Sequence, residues 1–253
     1  MRLGCCTDIA NAAIVKQAGF DFLECTVTSL MTEDEDGFQA ILKKYQESPL
    51  PVEVCNVFLP GNMKIVGGSV DYKVIECYVA TALSRVKQIG AKKVVFGSGG
   101  ARSLPADFST EEGEQQVVEF LKMVADYAEL NEITVVIEPL NKKESNIINS
   151  IPEAVSLAKR VDRESIQVLA DFYHMEEEAE ALENIIEGKD FLKHIHVADS
   201  ARLAPGTGGY PYHQFVSCLK EANYEGLVSI ECRWDDFETE VYEARKFLSQ
   251  LFV

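Results

Sequence analysis

The 253-residue chain has few basic residues and no long apolar run. It contains 24 Lys and Arg against 41 Asp and Glu, a formal net charge of −17, which would repel the phosphates of nucleic acids and of anionic lipids. No window approaches the roughly 18 apolar residues that a membrane span requires, and the N-terminus "MRLGCCTDIANAAIVKQ" lacks the apolar core of a signal peptide. We therefore expect a cytoplasmic protein that binds neither nucleic acid nor membranes.

Paired cysteines and domain linkers are also missing. The seven cysteines are scattered and show no C-x-x-C spacing, which argues against a disulfide framework and a structural zinc site, so we expect them to be reduced. No segment rich in Pro, Gly or Ser divides the chain, and its hydrophobic content of 47% can supply one large core. Residues 1–253 are accordingly expected to form one domain.

Short apolar runs alternate along the chain with longer amphipathic segments. Eight runs are predicted as strands: "RLGCC", "DFLECTV", "PVEVCNVFL", "KKVVFG", "ITVVIE", "IQVLAD", "KHIHVAD" and "GLVSIEC". Apolar residues at three- and four-residue spacing predict helices near 8–18, 36–47, 72–90, 110–130, 152–161, 177–188, 211–223 and 235–250. Eight strand–helix repeats in about 250 residues predict an α/β fold, a single-domain (β/α)8 TIM barrel.

Four of the later strand candidates end in an ionisable side chain: Glu138, Asp171, His196 and Glu231. Their separations of 33, 25 and 35 residues each approximate one strand-plus-helix repeat. In a TIM barrel the C-terminal ends of the strands form the mouth, so these side chains should converge there. Three desolvated carboxylates beside one imidazole would repel one another unless a cation lay between them.

This set of potential ligands predicts one divalent metal ion. Carboxylate oxygens with a single imidazole suit Mn²⁺, Mg²⁺ or Co²⁺, and Zn²⁺ is also compatible. The alternative is local neutralisation of each carboxylate by a neighbouring cation. For Glu138 that cation would be Lys142 or Lys143, and for Glu231 it would be Arg233.

The segments "IEPLNKKE", "ADFYHM", "HIHVADSARLAPGTG" and "SIEC" occur in this order, and the chain resembles the xylose isomerase-like TIM barrels, in particular the sugar isomerase and epimerase branch with the ketose 3-epimerases. The resemblance covers the whole chain. It implies that Glu138, Asp171, His196 and Glu231 bind the metal. It also implies proton transfer through an enediolate, with Glu138 and Glu231 as acid and base on opposite faces of a small sugar.

Further substrate-binding residues follow from the resemblance and from the loops. By their offsets from the ligands, Glu144, His174 and Arg202 are implied to hold sugar oxygens. Arg202 and Arg233 would face the region after strands seven and eight, where many barrels bind phosphate, so a sugar phosphate is a candidate substrate. Phe58 is predicted as an apolar wall for the sugar. Relatives of this kind imply a dimer or tetramer.

Three classes of function remain open. The first is the metal-dependent isomerase or epimerase of a keto sugar or sugar phosphate, including hydroxypyruvate isomerases and inosose-type enzymes of the same family. The second is a hydrolase of the abasic-site endonuclease type, which needs more histidines than the four present and a basic DNA-facing surface. The third is a binding barrel without catalysis, which the complete ligand set with two candidate bases argues against.

Overall fold

A computed structural model describes residues 1–252 and shows eight parallel strands closed into a barrel in the order β1 to β8. The strands are β1 Arg2–Cys6, β2 Phe22–Thr26, β3 Val52–Asn56, β4 Lys93–Phe96, β5 Thr134–Ile137, β6 Ile166–Asp171, β7 Leu192–Val197 and β8 Leu227–Ile230. Because β1 pairs with both β2 and β8, the sheet has no free edge. The predicted (β/α)8 TIM barrel is confirmed.

The helices surround the barrel and connect its strands. They are α1 Ala12–Gln17, α2 Glu35–Gln46, α3 Tyr72–Gln88, α4 Gly99–Arg102, α5 Thr110–Asn131, α6 Ile151–Val161, α7 Phe172–Glu177, α8 Asn184–Glu187, α9 Tyr212–Glu221 and α10 Phe237–Leu251. The Oγ atoms of Ser109 and Ser150 accept from the N–H groups of Glu112 and Glu153 and so cap α5 and α6.

The prediction of one continuous helix near 177–188 is wrong. This segment instead contains only the last residue of α7 and the short helix α8. The helix after β6 begins earlier, because Asp171 caps it by accepting from the N–H groups of Tyr173 and His174. It ends before Ala179, whose φ of 51° lies in the left-handed region.

The lower half of the barrel interior is a closed apolar plug. It consists of one cluster from six strands, formed by Phe22, Val54, Val95, Val136, Leu169 and Leu227. Gly4 on β1 leaves room for this plug, since a Cβ there would lie 2.3 Å from the Phe22 ring. The site residues Glu138, Asp171, His196 and Glu231 lie toward the other end of the interior, at the C-terminal ends of the strands.

The structure also bears on the predictions about cysteines and membrane spans. All seven cysteines are free thiols, and Cys5, Cys25 and Cys55 are buried in the core. Within residues 1–252, none of the helices is both long and apolar enough to cross a lipid bilayer. The predicted domain limits of 1–253 stay a prediction, and Val253 lies outside the described residues.

Candidate metal centre and active site

Four ionisable side chains meet at the mouth because four consecutive strands end at one level. Asp171 ends β6, His196 lies in β7, and Glu138 and Glu231 directly follow β5 and β8. The register pairs Asp171 with His196 and places Ser229 beside His196 on the other side. One ligand atom from each of Glu138, Asp171, His196 and Glu231 lies within 4.8 Å of all the others. The sequence-predicted set is thus brought together.

His196 Nδ1 lies at the centre of this group. It is 3.0 Å from Glu138 Oε1, 3.7 Å from Glu231 Oε2 and 3.9 Å from Asp171 Oδ2. His196 is completely buried, and Glu138 and Asp171 are nearly so. Three carboxylates around one imidazole nitrogen at these distances form a compact set of hard oxygen donors with one nitrogen donor.

The fit of this set to a divalent cation is indicated by an unpartnered atom. Asp171 Oδ1 accepts the two N–H groups at the start of α7, whereas its buried Oδ2 has no hydrogen-bond donor. A buried carboxylate oxygen without a donor is unfavourable, and a bound cation would satisfy it. The four side chains therefore supply the oxygen-rich donor set that hard divalent cations require. The alternative, in which Lys142 or Lys143 neutralises Glu138, is wrong, because these lysines pair with Glu178 and Glu177.

The environment displaces the pKa values of the carboxyl groups in different directions. Desolvation, reinforced by the charge of Glu231, raises the pKa of Glu138. Desolvation also raises the pKa of Asp171 to about 6. The pKa of Glu231 is lowered, because the charges of His196 and Arg202 outweigh its desolvation. The two glutamates thus differ in their tendency to hold a proton.

Arg202 connects the predicted substrate-binding residue Glu144 to the cluster. Its Nη1 donates to both Glu144 carboxylate oxygens at 2.9 and 3.1 Å, and its Nη2 donates to Glu231 Oε2 at 2.5 Å. The guanidinium also lies 5.2 Å from the centroid of the Tyr173 ring. The charge of Glu231 is therefore neutralised by Arg202. The alternative, in which Arg233 neutralises Glu231, is wrong.

His174 presents a single nitrogen that lacks a partner. Its Nδ1 accepts the backbone N–H of Asn141 at 3.1 Å, which leaves the proton of a neutral ring on Nε2. Nε2 is buried, has no hydrogen-bond partner and lies 3.7 Å from Asp171 Oδ2. Desolvation lowers the pKa of His174, so the neutral form is favoured. His174 therefore offers an unused Nε2–H donor beside the cluster.

Two predicted site residues are not brought to the mouth. Phe58 is completely buried, and its ring lies 6.3 Å from that of Phe120 in the core outside the barrel. Its neighbours Val57 and Leu59 line the mouth instead. The Arg233 side chain is exposed, and only its backbone N–H contacts the site region, by donating to the carbonyl of Arg202.

Other polar residues at the site were missed by the sequence reasoning. Glu24 is completely buried, with its oxygens 2.8 Å from the Nε2 atoms of His194 and His196. Asn56 donates to Glu231 Oε1 at 2.9 Å. A signal for Glu24 and His194 existed: the spacing His-x-His places both imidazoles on one face of β7, and a carboxylate within an apolar strand needs a buried partner.

Two cavities of about 270 Å³ each open beside Glu231. One is lined by Val57, Leu59, Gly61, the segment 97–100, Glu138, Leu140, Glu144, Arg202 and Glu231. The other is lined by Cys6, Thr7, Asp8, Cys25, Thr26, Ser29, Tyr45, Asn56, Glu231 and Cys232. Either volume is of the size of a small polar metabolite. The cluster thus faces space in which a sugar-sized molecule can reach both glutamates.

The chain is similar in sequence to known sugar epimerases. Over 228 residues the chain is 27% identical to the 3-dehydro-D-guloside 4-epimerase of Escherichia coli, a match that covers 87% of this chain and 84% of that protein. It is 33% identical over 115 residues to the D-psicose 3-epimerase of Agrobacterium fabrum, covering 45% of this chain and only 40% of that enzyme. This second match therefore spans about two fifths of the length of the psicose epimerase.

Structural similarity extends over the complete fold. The D-psicose 3-epimerase from Clostridium cellulolyticum H10, crystallised with D-tagatose, superposes with a TM-score of 0.88 at 19% identity, covering 100% of this chain and 99% of that one. At this identity the likeness shows the fold alone. The sequence profile of the xylose isomerase-like TIM barrels matches residues 12–251. The chain is an isomerase or epimerase, and it belongs to the xylose isomerase-like TIM barrel family.

Proposed function

We propose that the protein is a divalent-metal-dependent epimerase or isomerase of a small keto sugar, and that it moves a proton on the carbon next to the carbonyl. The observation that carries this proposal is the convergence of Glu138, Asp171, His196 and Glu231, with Asp171 Oδ2 buried and unpartnered. Sugar epimerases and isomerases among the relatives, including a hydroxypyruvate isomerase, support the same class of reaction.

The four clustered residues would hold the ion. When bound, a divalent cation polarises a carbonyl and makes the adjacent C–H more acidic. Mn²⁺, Mg²⁺ and Co²⁺ agree best with a donor set of three carboxylates and one imidazole, and Zn²⁺ remains compatible. The chain itself must still remove the proton, return it and hold the sugar in a fixed orientation.

Glu138 and Glu231 are the groups that move the proton. They come from β5 and β8, so they approach the enclosed space from different sides of the barrel. Both carboxylates line the same cavity, so one can remove the proton as a base while the other returns a proton as an acid. Return of the proton to the opposite face inverts the carbon, whereas its return to the neighbouring carbon interconverts a ketose and an aldose.

His174, Arg202 and Glu144 would orient the sugar. The unpartnered His174 Nε2–H can donate to a sugar oxygen on which negative charge develops, without disturbing any existing hydrogen bond. Arg202 would supply a second donor beside Glu231, and Glu144 can accept from a hydroxyl.

The charge balance of the mouth favours an uncharged sugar over a sugar phosphate. Of the described residues that line the two cavities, Arg202 is the only cation, and it already contacts Glu144 and Glu231. Arg233, predicted to serve a phosphate, is exposed and absent from both linings. A phosphate dianion would meet four carboxylates with no unengaged guanidinium. A homo-oligomer, as expected from the resemblance, stays a prediction.

The experiment is solvent-deuterium exchange followed by NMR. Chelator-treated protein, with and without added Mn²⁺, Mg²⁺ or Co²⁺, is incubated in D₂O with matched free and phosphorylated ketoses. We expect metal-dependent deuterium incorporation next to the carbonyl of a free ketose. A new epimer identifies an epimerase, and a new aldose identifies an isomerase. Exchange that is independent of metal, or absent from every ketose at confirmed metal occupancy, contradicts the proposal.

A further inference from the structure

Glu24 forms the only carboxylate contact of His194 and His196 on their Nε2 side among residues 1–252. Oε1 of Glu24 lies 2.8 Å from His196 Nε2, and its Oε2 lies 2.8 Å from His194 Nε2. All three side chains have no exposed surface. Glu24 and His194 thus form a buried group directly beside His196, which is itself a member of the metal cluster. Burial of a carboxylate charge is unfavourable unless it is paired, so the two imidazoles must offset the desolvation of Glu24.

The contact determines which nitrogen of His196 faces the mouth. A carboxylate only accepts hydrogen bonds, so His196 Nε2 must carry its proton toward Glu24. The Nδ1 atom, at the centre of Glu138, Asp171 and Glu231, lies 3.0 Å from Glu138 Oε1 and can donate to it in the metal-free protein; because Glu24 holds the proton on Nε2, Nδ1 is the nitrogen that would give up its proton and offer a lone pair to a cation. Only a lone pair can bind a cation.

His194 fixes the orientation of the Glu24 carboxylate. Its Nε2–H occupies the second oxygen, and its ring stands at 80° to that of His196 with centroids 5.0 Å apart. Its Nδ1 is buried and unpartnered, as expected for a neutral ring whose proton is on Nε2. Two donors on two oxygens leave the carboxylate no rotational freedom, so it aims one oxygen at His196.

We propose that Glu24, clamped by His194, is a positioning residue that sets the tautomer and the direction of His196 for metal binding. This rests on the metal centre of the proposed function. Outer contacts of this kind typically change metal affinity by about 10- to 100-fold when they are removed. The role is exerted through His196, because Glu24 itself lies below the cluster and lines neither cavity at the mouth.

The test compares Glu24→Gln with Ser229→Ala. The amide has the size of the carboxylate but can offer an N–H to His196 Nε2, which would place the proton on Nδ1. Ser229 is a matched control, since it is equally buried and contacts His194 at 3.4 Å but makes no hydrogen bond to His196. Titration of metal-free protein with Co²⁺, followed by visible absorption, gives the dissociation constants, and thermal unfolding of the metal-free forms tests the fold.

We expect Glu24→Gln to raise the Co²⁺ dissociation constant by about 10- to 100-fold and Ser229→Ala to leave it within about threefold. Equal Co²⁺ affinity of wild type and Glu24→Gln overturns the role of Glu24 while leaving the metal centre intact. A wild type that binds no divalent ion overturns both proposals. Should Glu24→Gln fail to fold, proton–nitrogen NMR of Zn²⁺-loaded wild type decides: a His196 proton on Nε2 supports the proposal, and a proton on Nδ1 refutes it.

Discussion

Gly97 follows β4 and leaves space for the Glu138 carboxylate, which makes it a sensitive position without any chemistry of its own. A Cβ at Gly97 would lie 2.1 Å from Glu138 Oε2, whereas real Cβ contacts are essentially never under 3.0 Å. Gly97→Ala must therefore displace this carboxylate by about 1 Å, and a misplacement of that size costs on the order of 100-fold in rate. The fold should tolerate the change, since the clash involves the flexible end of one side chain.

Two quantities are measured for Gly97→Ala, the free energy of unfolding and the rate of deuterium exchange, and only the second should change strongly. The free energy of unfolding of Gly97→Ala, from urea denaturation without metal, should stay within about 1 kcal/mol of wild type, because the loss of backbone freedom in the unfolded state offsets a local readjustment. The rate of solvent-deuterium exchange at saturating metal should fall on the order of 100-fold. Gly68→Ala is the control, since a Cβ there meets no atom within 4 Å. An unchanged exchange rate for Gly97→Ala refutes the steric reasoning.

Three more outcomes are expected. Mn²⁺ binding should weaken by at least roughly tenfold per unit below about pH 6, because burial raises the pKa of Asp171 to about 6 and also raises that of Glu138, and a protonated carboxyl must lose its proton to bind a cation; a flat calorimetric profile between about pH 5 and 8 contradicts this. Arg102→Met should lower the free energy of unfolding by about 1–3 kcal/mol in urea, since the buried guanidinium donates to the carbonyls of Phe96 and Glu138; an unchanged midpoint counts against that role. Phe172→Ala should cost about 3–5 kcal/mol, because the fully buried ring stacks on Phe215 with centroids 4.2 Å apart, and a loss below about 1 kcal/mol would show that the site collapses.

The barrel and the four clustered residues could be predicted because both depend on local features of the chain. Alternation of apolar runs and amphipathic segments determines the (β/α)8 order, and a polar residue at the end of an apolar strand must lie at the mouth. Glu138, Asp171, His196 and Glu231 each carry that signal independently. Their convergence then follows from the closed barrel without any knowledge of side-chain contacts.

The remaining features depend on contacts between distant segments. Glu24 is separated from His194 and His196 by about 170 residues, and the sequence does not show that these side chains meet across the barrel. At Val57, a φ of 47° turns the chain after β3, so that Val57 faces solvent and Phe58 enters the core. A backbone change of this kind reverses the side-chain directions that strand alternation would predict.

The most direct test of the account measures deuterium exchange by wild type, Glu138→Gln and Glu231→Gln at saturating metal, starting from each epimer of the reactive ketose. Two proton-transfer groups on opposite faces predict that each variant loses epimer interconversion. They also predict that each variant still exchanges the proton of the one epimer whose C–H faces the remaining glutamate, and that the two variants act on opposite epimers. Interconversion at the wild-type rate by either variant would contradict the assignment of Glu138 and Glu231 as the acid and base.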